Sequence, residues 1–428
     1  MKLLNKLAIL ADAAKYDASC ASSGTDKKSS TDGQGIGSTQ GMGICHSYAP
    51  DGRCISLLKI LLTNFCIYEC SYCVNRASSQ VPRARMSVDE VVKLTLDFYK
   101  RNYIEGLFLS SGIIKSPDYT MEQLVLVAKK LRLEHDFRGY IHLKTIPDAD
   151  EALLREAGLY ADRLSINVEL PTEQSLAQLA PEKDSKQIKV SMARLRENID
   201  ESKASRKTQT QIKSAPQKTK TAYYRFAPAG QSTQMIIGAD QTNDTTILQR
   251  STQLYASYNM RRVYYSAFSP IPDASSALPL QQPPLIREHR LYQADWLIRF
   301  YGFEAEEITQ PVETQQQAGM LDLDVDPKLQ WALNNRGFFP VNLNKASFED
   351  ILRVPGIGLK TAQKIIQARK LHSLSYHDLQ SLRVSMTKVK HFVTLRDHTP
   401  SAKILEQSDL KRHFVKQSPQ LSLFGTLQ

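Results

Sequence analysis

The sequence predicts an α/β fold, a parallel sheet built from six strand–helix units, followed by a small all-helical module. Apolar, β-branched runs alternate with helix-period patterns about every 25–35 residues through residue 268, as repeated β-α units with right-handed crossovers require. A Pro-rich stretch over residues 269–284 ends that alternation. Beyond Phe339 the pattern is helical, in two related segments around a Pro-Gly-x-Gly turn.

The six strands are expected at residues 55–62, 106–111, 140–146, 163–170, 233–239 and 263–268. Helices are expected at residues 88–101, 121–133, 149–157, 173–179 and 245–259. Ahead of them, Leu3, Leu7 and Leu10 share one face of a helix, while Lys6, Asp12 and Lys15 interrupt the apolar run, so the start does not read as a signal peptide. No apolar run approaches the ~20 residues needed to span a bilayer, and the chain is expected in the cytoplasm without a membrane partner. After the last strand, residues 287–300 predict a helix with Leu291, Ala294, Leu297 and Ile298 on its apolar face; His289, Arg290 and Asp295 are expected in surface salt bridges, with reach to the barrel mouth as the alternative. The expected division is an N-terminal segment 1–54, a sheet domain 55–271 with a basic mobile insertion 183–222, a helical extension 272–335, a helical module 336–398 and a flexible tail 399–428.

Charge is unevenly placed. The formal net charge is +11, yet residues 183–225 and 341–428 each carry a basic surplus of 8, leaving the rest at −5. An acidic body with two basic segments is the asymmetry expected when particular regions meet a polyanion. In the first segment, Ile188, Met192, Leu195 and Ile199 can share one helix face, whereas the second half is nearly devoid of apolar residues. Tyr223, Tyr224, Arg225 and Phe226 follow, chiefly as core residues, with stacking on a base as the alternative.

All six cysteines, Cys20, Cys45, Cys54, Cys66, Cys70 and Cys73, lie in the first 73 residues. Clustered thiols in a reducing compartment point to metal or catalysis rather than disulfides. Cys66-Ile-Tyr-Glu-Cys70-Ser-Tyr-Cys73 places three within eight residues. Three thiolates leave a cubane [4Fe–4S] cluster one ligand short, and the open iron can bind another molecule. Structural zinc, which usually takes four ligands in two spaced pairs, and unligated thiols remain the alternatives. Cys20, Cys45 and Cys54 fit either a second metal centre, with His46 as fourth ligand, or buried thiols packing as small apolar groups.

The Cys-x3-Cys-x2-Cys spacing, with Tyr72 before the last cysteine and an apolar strand ahead, resembles the signature of radical S-adenosylmethionine (radical SAM) enzymes. Asp17-Ala-Ser-Cys20, Gly43-Ile-Cys45-His46, Pro50-Asp-Gly-Arg-Cys54 and the run from Ser56 to Asn64 extend the likeness. The sequence is similar to bacterial radical SAM proteins assigned to DNA modification or repair. That resemblance implies a partial (β/α)6 barrel, a [4Fe–4S] cluster on Cys66, Cys70 and Cys73, and S-adenosylmethionine (SAM) on its open iron. An electron donor such as flavodoxin or ferredoxin would reduce the cluster, cleaving SAM to a 5′-deoxyadenosyl radical that takes hydrogen from a substrate. A second iron–sulfur cluster is a further option.

Barrel sites sit at strand C-terminal ends, which nominates further SAM contacts. Ser110 and Ser111 end the second strand where relatives often carry Gly-Gly-Glu, and Lys144 ends the third. On the fourth, Ser165, Asn167 and Glu169 alternate with Ile166 and Val168 and should share one face. With Tyr72, the cofactor candidates are Ser110, Ser111, Lys144, Asn167 and Glu169; internal hydrogen bonding is the alternative for each.

In the second basic segment, helical patterns flank Pro355-Gly-Ile-Gly358. Gly356 and Gly358 permit a tight turn, and N–H groups opening the second helix favour phosphate. Gly356, Ile357, Gly358, Lys360 and Thr361 form the candidate DNA contact, which resembles a helix-hairpin-helix. A scaffold for another protein is the alternative. A degenerate echo follows: Ser347-Phe-Glu-Asp recurs as Ser375-Tyr-His-Asp, and Ser385-Met-Thr-Lys-Val lacks the glycines. In the tail, Gln420, Leu421, Leu423 and Phe424 resemble the peptide by which bacterial repair proteins dock on the sliding clamp. The expectation is a radical SAM enzyme acting on DNA; an RNA-modifying enzyme and a non-catalytic redox-sensing iron–sulfur protein are the alternatives.

Overall fold

The strands form where apolar residues can cover both a helix layer and their neighbours. The computed structural model describes residues 1–14, 44–48, 54–211, 225–271, 275–312, 317–401, 405–407 and 410–415. Cys20, Tyr223, Tyr224 and the tail residues Gln420, Leu421, Leu423 and Phe424 lie outside them. In order come α1 (Leu3–Ala13), β1 (Ile44–Tyr48), β2 (Cys54–Leu61), α2 (Val88–Lys100), β3 (Gly106–Ser110), α3 (Pro117–Leu133), β4 (Tyr140–Lys144) and α4 (Glu151–Tyr160). Then follow β5 (Arg163–Ser165), α5 (Glu173–Leu179), α6 (Ser185–Gln211), β6 (Gln231–Ile237), α7 (Asp244–Tyr258) and β7 (Arg262–Ala267). The sheet runs β1-β2-β3-β4-β5-β6-β7; β1 is antiparallel to β2, and β2 to β7 are parallel. This is a curled partial barrel with one extra strand.

Register identifies the two faces of the sheet. Ile60, Leu109, Leu143, Leu164 and Gln231 stand in one row. The Gln231 amide donates to Met192 O on α6, so this row faces the helices. The next row, Lys59, Phe108, His142 and Arg163, faces the inside of the curl, and its three polar side chains, Lys59, His142 and Arg163, are buried. His142 stacks on Phe108 at 4.3 Å and meets Ser165 Oγ at 3.0 Å. An interior lined by hydrogen-bonding side chains is a place for a polar ligand rather than a dry core.

Four expectations need correction. The short strand β1 was not foreseen; it joins the edge of the sheet by pairing antiparallel with β2. Helix α3 begins at Pro117, four residues early, because Ser116 caps Tyr119 N and Pro117 suits the first turn. Strand β6 begins at Gln231, two residues early, through pairing with Leu164. The fourth parallel strand stops at Ser165, not residue 170. Beyond it Val168 N donates to the Thr233 hydroxyl, and Glu169 takes φ +64°. The pleat is broken there, so strand alternation does not set the directions of Asn167 and Glu169, and Ile166 and Val168 are buried too.

The chain divides into two compact units, Met1–Thr242 with Gln253–Pro283, and Asn243–Thr252 with Pro284–Gln428. The second contains α8 (Leu285–Tyr301), α9 (Ala305–Ile308), α10 (Pro327–Asn334), β8 (Val341–Asn342), α11 (Phe348–Arg353), α12 (Leu359–Ala368), α13 (Tyr376–Ser381), α14 (Met386–Val389) and β9 (Val393–Thr394). The repeated Ser-x-x-Asp motif is realised twice, with Ser347–Asp350 and Ser375–Asp378 each closing a capping box. Asp295 is buried beside Arg299 rather than on the surface, and Arg290 donates to the Asp322 and Leu323 carbonyls. Among the described residues no helix is long and apolar enough to cross a membrane.

Candidate functional site

The loop from Leu62 to Ser87 carries the three closely spaced cysteines, and one side chain holds it closed. The Arg83 guanidinium donates to the carbonyls of Asn64, Asn75 (3.0 Å), Arg76 (2.6 Å) and Ser79 (2.8 Å). The Asn64 amide bridges Pro82 O and Ala84 N at 2.8 Å each, while Thr63 Oγ donates to Ala84 O. Glu69 accepts from Ser78 N and Oγ, and Ser71 N donates to Leu179 O at the end of α5. A loop this long is costly to order, and these bonds fix the cysteine positions. Sequence spacing revealed the thiols but not this clasp.

Cys70 is buried, with Cys66 and Cys73 half-buried. Burial pushes the Cys70 thiol up to about 12 and also raises Cys73. Thiols in this setting stay protonated unless a metal replaces the proton. Ile113 N donates to Cys66 Sγ at 3.5 Å and Asn75 N to Cys73 Sγ at 3.4 Å. Backbone N–H groups aimed at sulfur suit cluster ligands, whose potential such bonds tune. No group of three or more His, Cys, Asp or Glu among the described residues gathers as one metal ion would need. A cubane cluster places each thiolate on a different iron, so it does not require convergence on a point. Within the loop, Tyr72 Oη and Asn75 Oδ1 are buried without a hydrogen-bond partner. The donor set fits a [4Fe–4S] cluster, and these two groups await a polar ligand.

The strand ends contribute unequally. Ser110 is buried at the end of β3; Ser111 Oγ donates to Gly112 O at 2.6 Å; Lys144 is half-buried at the end of β4. Asn167 donates to Gln234 Oε1 at 3.1 Å. Glu169 accepts from Lys183 at 2.5 Å, and both are largely buried. Burial is the largest single influence on Lys183 and opposes its charge, but Glu169, Tyr72 and Cys70 together outweigh it and raise the ammonium pKa. Lys183, which the sequence offers only as the opening residue of a basic segment, thus stands in the electrostatic field of Cys70 and Tyr72. Ile188, Met192, Leu195 and Ile199 beyond it are buried along α6 as their spacing predicts. Phe226 is also buried, close against Gly158.

The other cysteines are placed differently. Cys45 packs with Ile55, Leu57 and Phe108 in a small apolar cluster, and exposed Cys54 begins β2, whose far end leads to the cysteine loop. The structure does not bring these two to the loop.

In the second unit, Gly356 takes φ +89° and Gly358 caps α12. Lys360 is exposed, Thr361 half-buried and the Ile357 side chain buried. Ile357 N donates to Val354 O, and Leu359 N to Tyr301 Oη at 3.3 Å, so two hairpin N–H groups already have internal partners. Lys328 Nζ donates to Ile357 O at 2.6 Å and tethers the turn from beneath. Arg353 stacks on Phe303 and Trp331 and pairs with Glu307 at 2.7 Å, which makes it a packing residue.

Two expected outcomes follow from the hairpin. Gly356→Ala places a side chain at positive φ, with Cβ 2.9 Å from Val389 Cγ2. It should cost about 1–2 kcal/mol in stability, read as a lower denaturant midpoint. Burial lowers the Lys328 pKa to about 7; Asp326 opposes this and Arg353 adds to it. The unfolded chain then holds a proton that the folded one lacks between about pH 7 and 10.5. This group's contribution therefore rises with pH over that window, and Lys328→Met should flatten the rise in midpoint between pH 7 and 9.

Comparison with known proteins agrees with these features. Residues 60–206 match the radical SAM superfamily, and residues 338–389 match the helix-hairpin-helix motif. The chain thus carries a radical SAM domain, an enzyme domain that implies a [4Fe–4S] cluster and SAM, and a helix-hairpin-helix motif. No curated protein matches it. Similar solved structures include HydG, a maturase of the [FeFe]-hydrogenase, at 13% identity and TM-score 0.39, covering 56% of this chain and 48% of that one. HydG from Carboxydothermus hydrogenoformans gives 13% and 0.41, covering 75% and 78%. Methylornithine synthase (PylB) gives 12% and 0.37, covering 76% and 84%. The chain spans about half the length of the first of these.

Proposed function

We propose that this radical SAM enzyme acts on DNA, in repair or base modification. The presence of a clasped three-cysteine loop and a helix-hairpin-helix in one chain carries the proposal. Cys66, Cys70 and Cys73 would hold the [4Fe–4S] cluster, with Arg83 fixing the loop that positions them. Bound cluster and SAM supply one-electron chemistry that ends in hydrogen abstraction. Glu169 and Lys183 offer opposite charges to the zwitterionic methionine end of SAM, and Tyr72 Oη offers it a buried hydrogen bond. Lys360 and the glycine turn would hold the phosphate backbone, a contact weakened by salt. Hydrogen abstraction requires direct access to the target atom, so the reacting nucleotide is extruded or single-stranded. An external one-electron donor is needed.

The test is mass spectrometry of nucleosides from DNA and RNA incubated together with the reconstituted enzyme, SAM and reductant. The proposal expects a new nucleoside in the DNA fraction. A product confined to RNA would transfer the function to RNA modification.

A further inference from the structure

Resting on the hairpin as a nucleic-acid contact, we infer that the second unit also holds an unstacked base of the same strand, in the cavity beside the glycine turn. This cavity has a volume of about 460 Å³, within the range of small-molecule sites. Its walls are Tyr292, Gln293, Trp296 and Tyr301 of α8, Asp326 at the start of α10, and Gly358 of the turn. Tyr292 and Trp296, four residues apart, share one face of α8, and Tyr301 at the end of that helix also lines the cavity.

The chemistry of this cavity favours a base. Trp296 is 50% exposed although it is among the largest apolar side chains, and neighbouring Phe300 is 41% exposed. Their rings lie 4.4 Å apart, so the indole is supported from one side while remaining open to solvent. Planar aromatic surfaces next to a cationic backbone contact are what single-stranded nucleic acid uses, because every base has a face to stack. Gln293 supplies donor and acceptor atoms for a base edge. The Asp326 oxygens accept from Leu329 N at 3.0 Å and Lys388 Nζ at 2.8 Å, and retain capacity for an exocyclic amine.

Continuity with the turn indicates which ligand enters. Gly356 and Gly358 belong both to the hairpin and to the cavity wall, and exposed Lys360 and Lys364 follow one helical turn apart on α12. A strand whose phosphates rest on these lysines has a base within reach of the aromatics. A duplex keeps its bases stacked and cannot fill the cavity. The site therefore adds a preference for unpaired over paired DNA that a phosphate-binding hairpin alone lacks.

The test uses the full chain with two probes, a single-stranded oligonucleotide carrying 2-aminopurine and a blunt duplex of the same sequence. Wild type should quench the 2-aminopurine by stacking and bind the single strand more tightly. Trp296→Ala should weaken single-strand binding about tenfold, with duplex affinity and the salt slope unchanged. Trp296→Phe, which keeps a ring against Phe300, should retain most of the affinity. Lys360→Ala with Lys364→Ala should weaken both probes and reduce the salt slope. Unquenched 2-aminopurine, or a Trp296→Ala variant that binds the single strand like wild type or loses both probes equally, would overturn the cavity assignment alone. A wild-type chain that binds neither probe would overturn the hairpin assignment as well.

Discussion

Cys70→Ala is expected to leave the chain folded and able to bind DNA while removing its iron–sulfur centre and all SAM cleavage. Cys70 is 6% exposed, and its thiol pKa stands at about 12 because burial disfavours the thiolate. Without iron it is a small neutral group, so alanine removes little volume and strands no charge. With iron it would be one of three ligands. Its loss should therefore exceed the roughly 10–100-fold cost typical of a residue that merely supports a metal ligand. Iron content, visible absorbance after anaerobic reconstitution and DNA affinity measure the outcomes separately. Equal loss of DNA binding would contradict the assignment of DNA to the hairpin.

Gly112→Ala is expected to be nearly as damaging, without touching a thiol. The new Cβ would lie 2.2 Å from Phe65 O, a backbone atom, and Gly112 N already donates to Thr63 O at 2.8 Å. Neither partner can move without displacing the residue before Cys66. Overpacking of this kind costs about 1–3 kcal/mol, and here the displacement falls on a candidate ligand. The expected result is a lower thermal midpoint and iron content well below wild type, whereas Ser111→Ala, one position earlier, should retain iron. In the Ser110-Ser111-Gly112 segment the glycine matters through its missing side chain.

The features most legible in the sequence depend on residues close together along the chain. Leu58, Ile60, Leu107, Leu109, Ile141 and Leu143 are all fully buried, and runs of such residues marked five parallel strands within two residues of their ends. Pro355-Gly-Ile-Gly358 announced a helix on either side because a turn of this kind is local, and α11 and α12 flank it. The three-cysteine loop was legible from spacing alone. Features set by distant contacts were not. Arg83 looks like an ordinary surface arginine until four carbonyls of one loop converge on it. Lys183 sits in a run of basic residues, and only folding pairs it with Glu169. The end of β5 is equally hidden, since the Thr233 hydroxyl takes the place of a strand carbonyl for Val168 N. The cavity beside Trp296 joins α8 to a turn more than 50 residues later in the sequence, a distance over which no periodicity speaks.

The most direct measurement of the central claim is 5′-deoxyadenosine formed from SAM by the anaerobically reconstituted, reduced wild-type protein, with and without DNA. A radical SAM enzyme acting on DNA should release 5′-deoxyadenosine, with a yield that rises when DNA is added. Intact SAM, or cleavage indifferent to DNA, would contradict it.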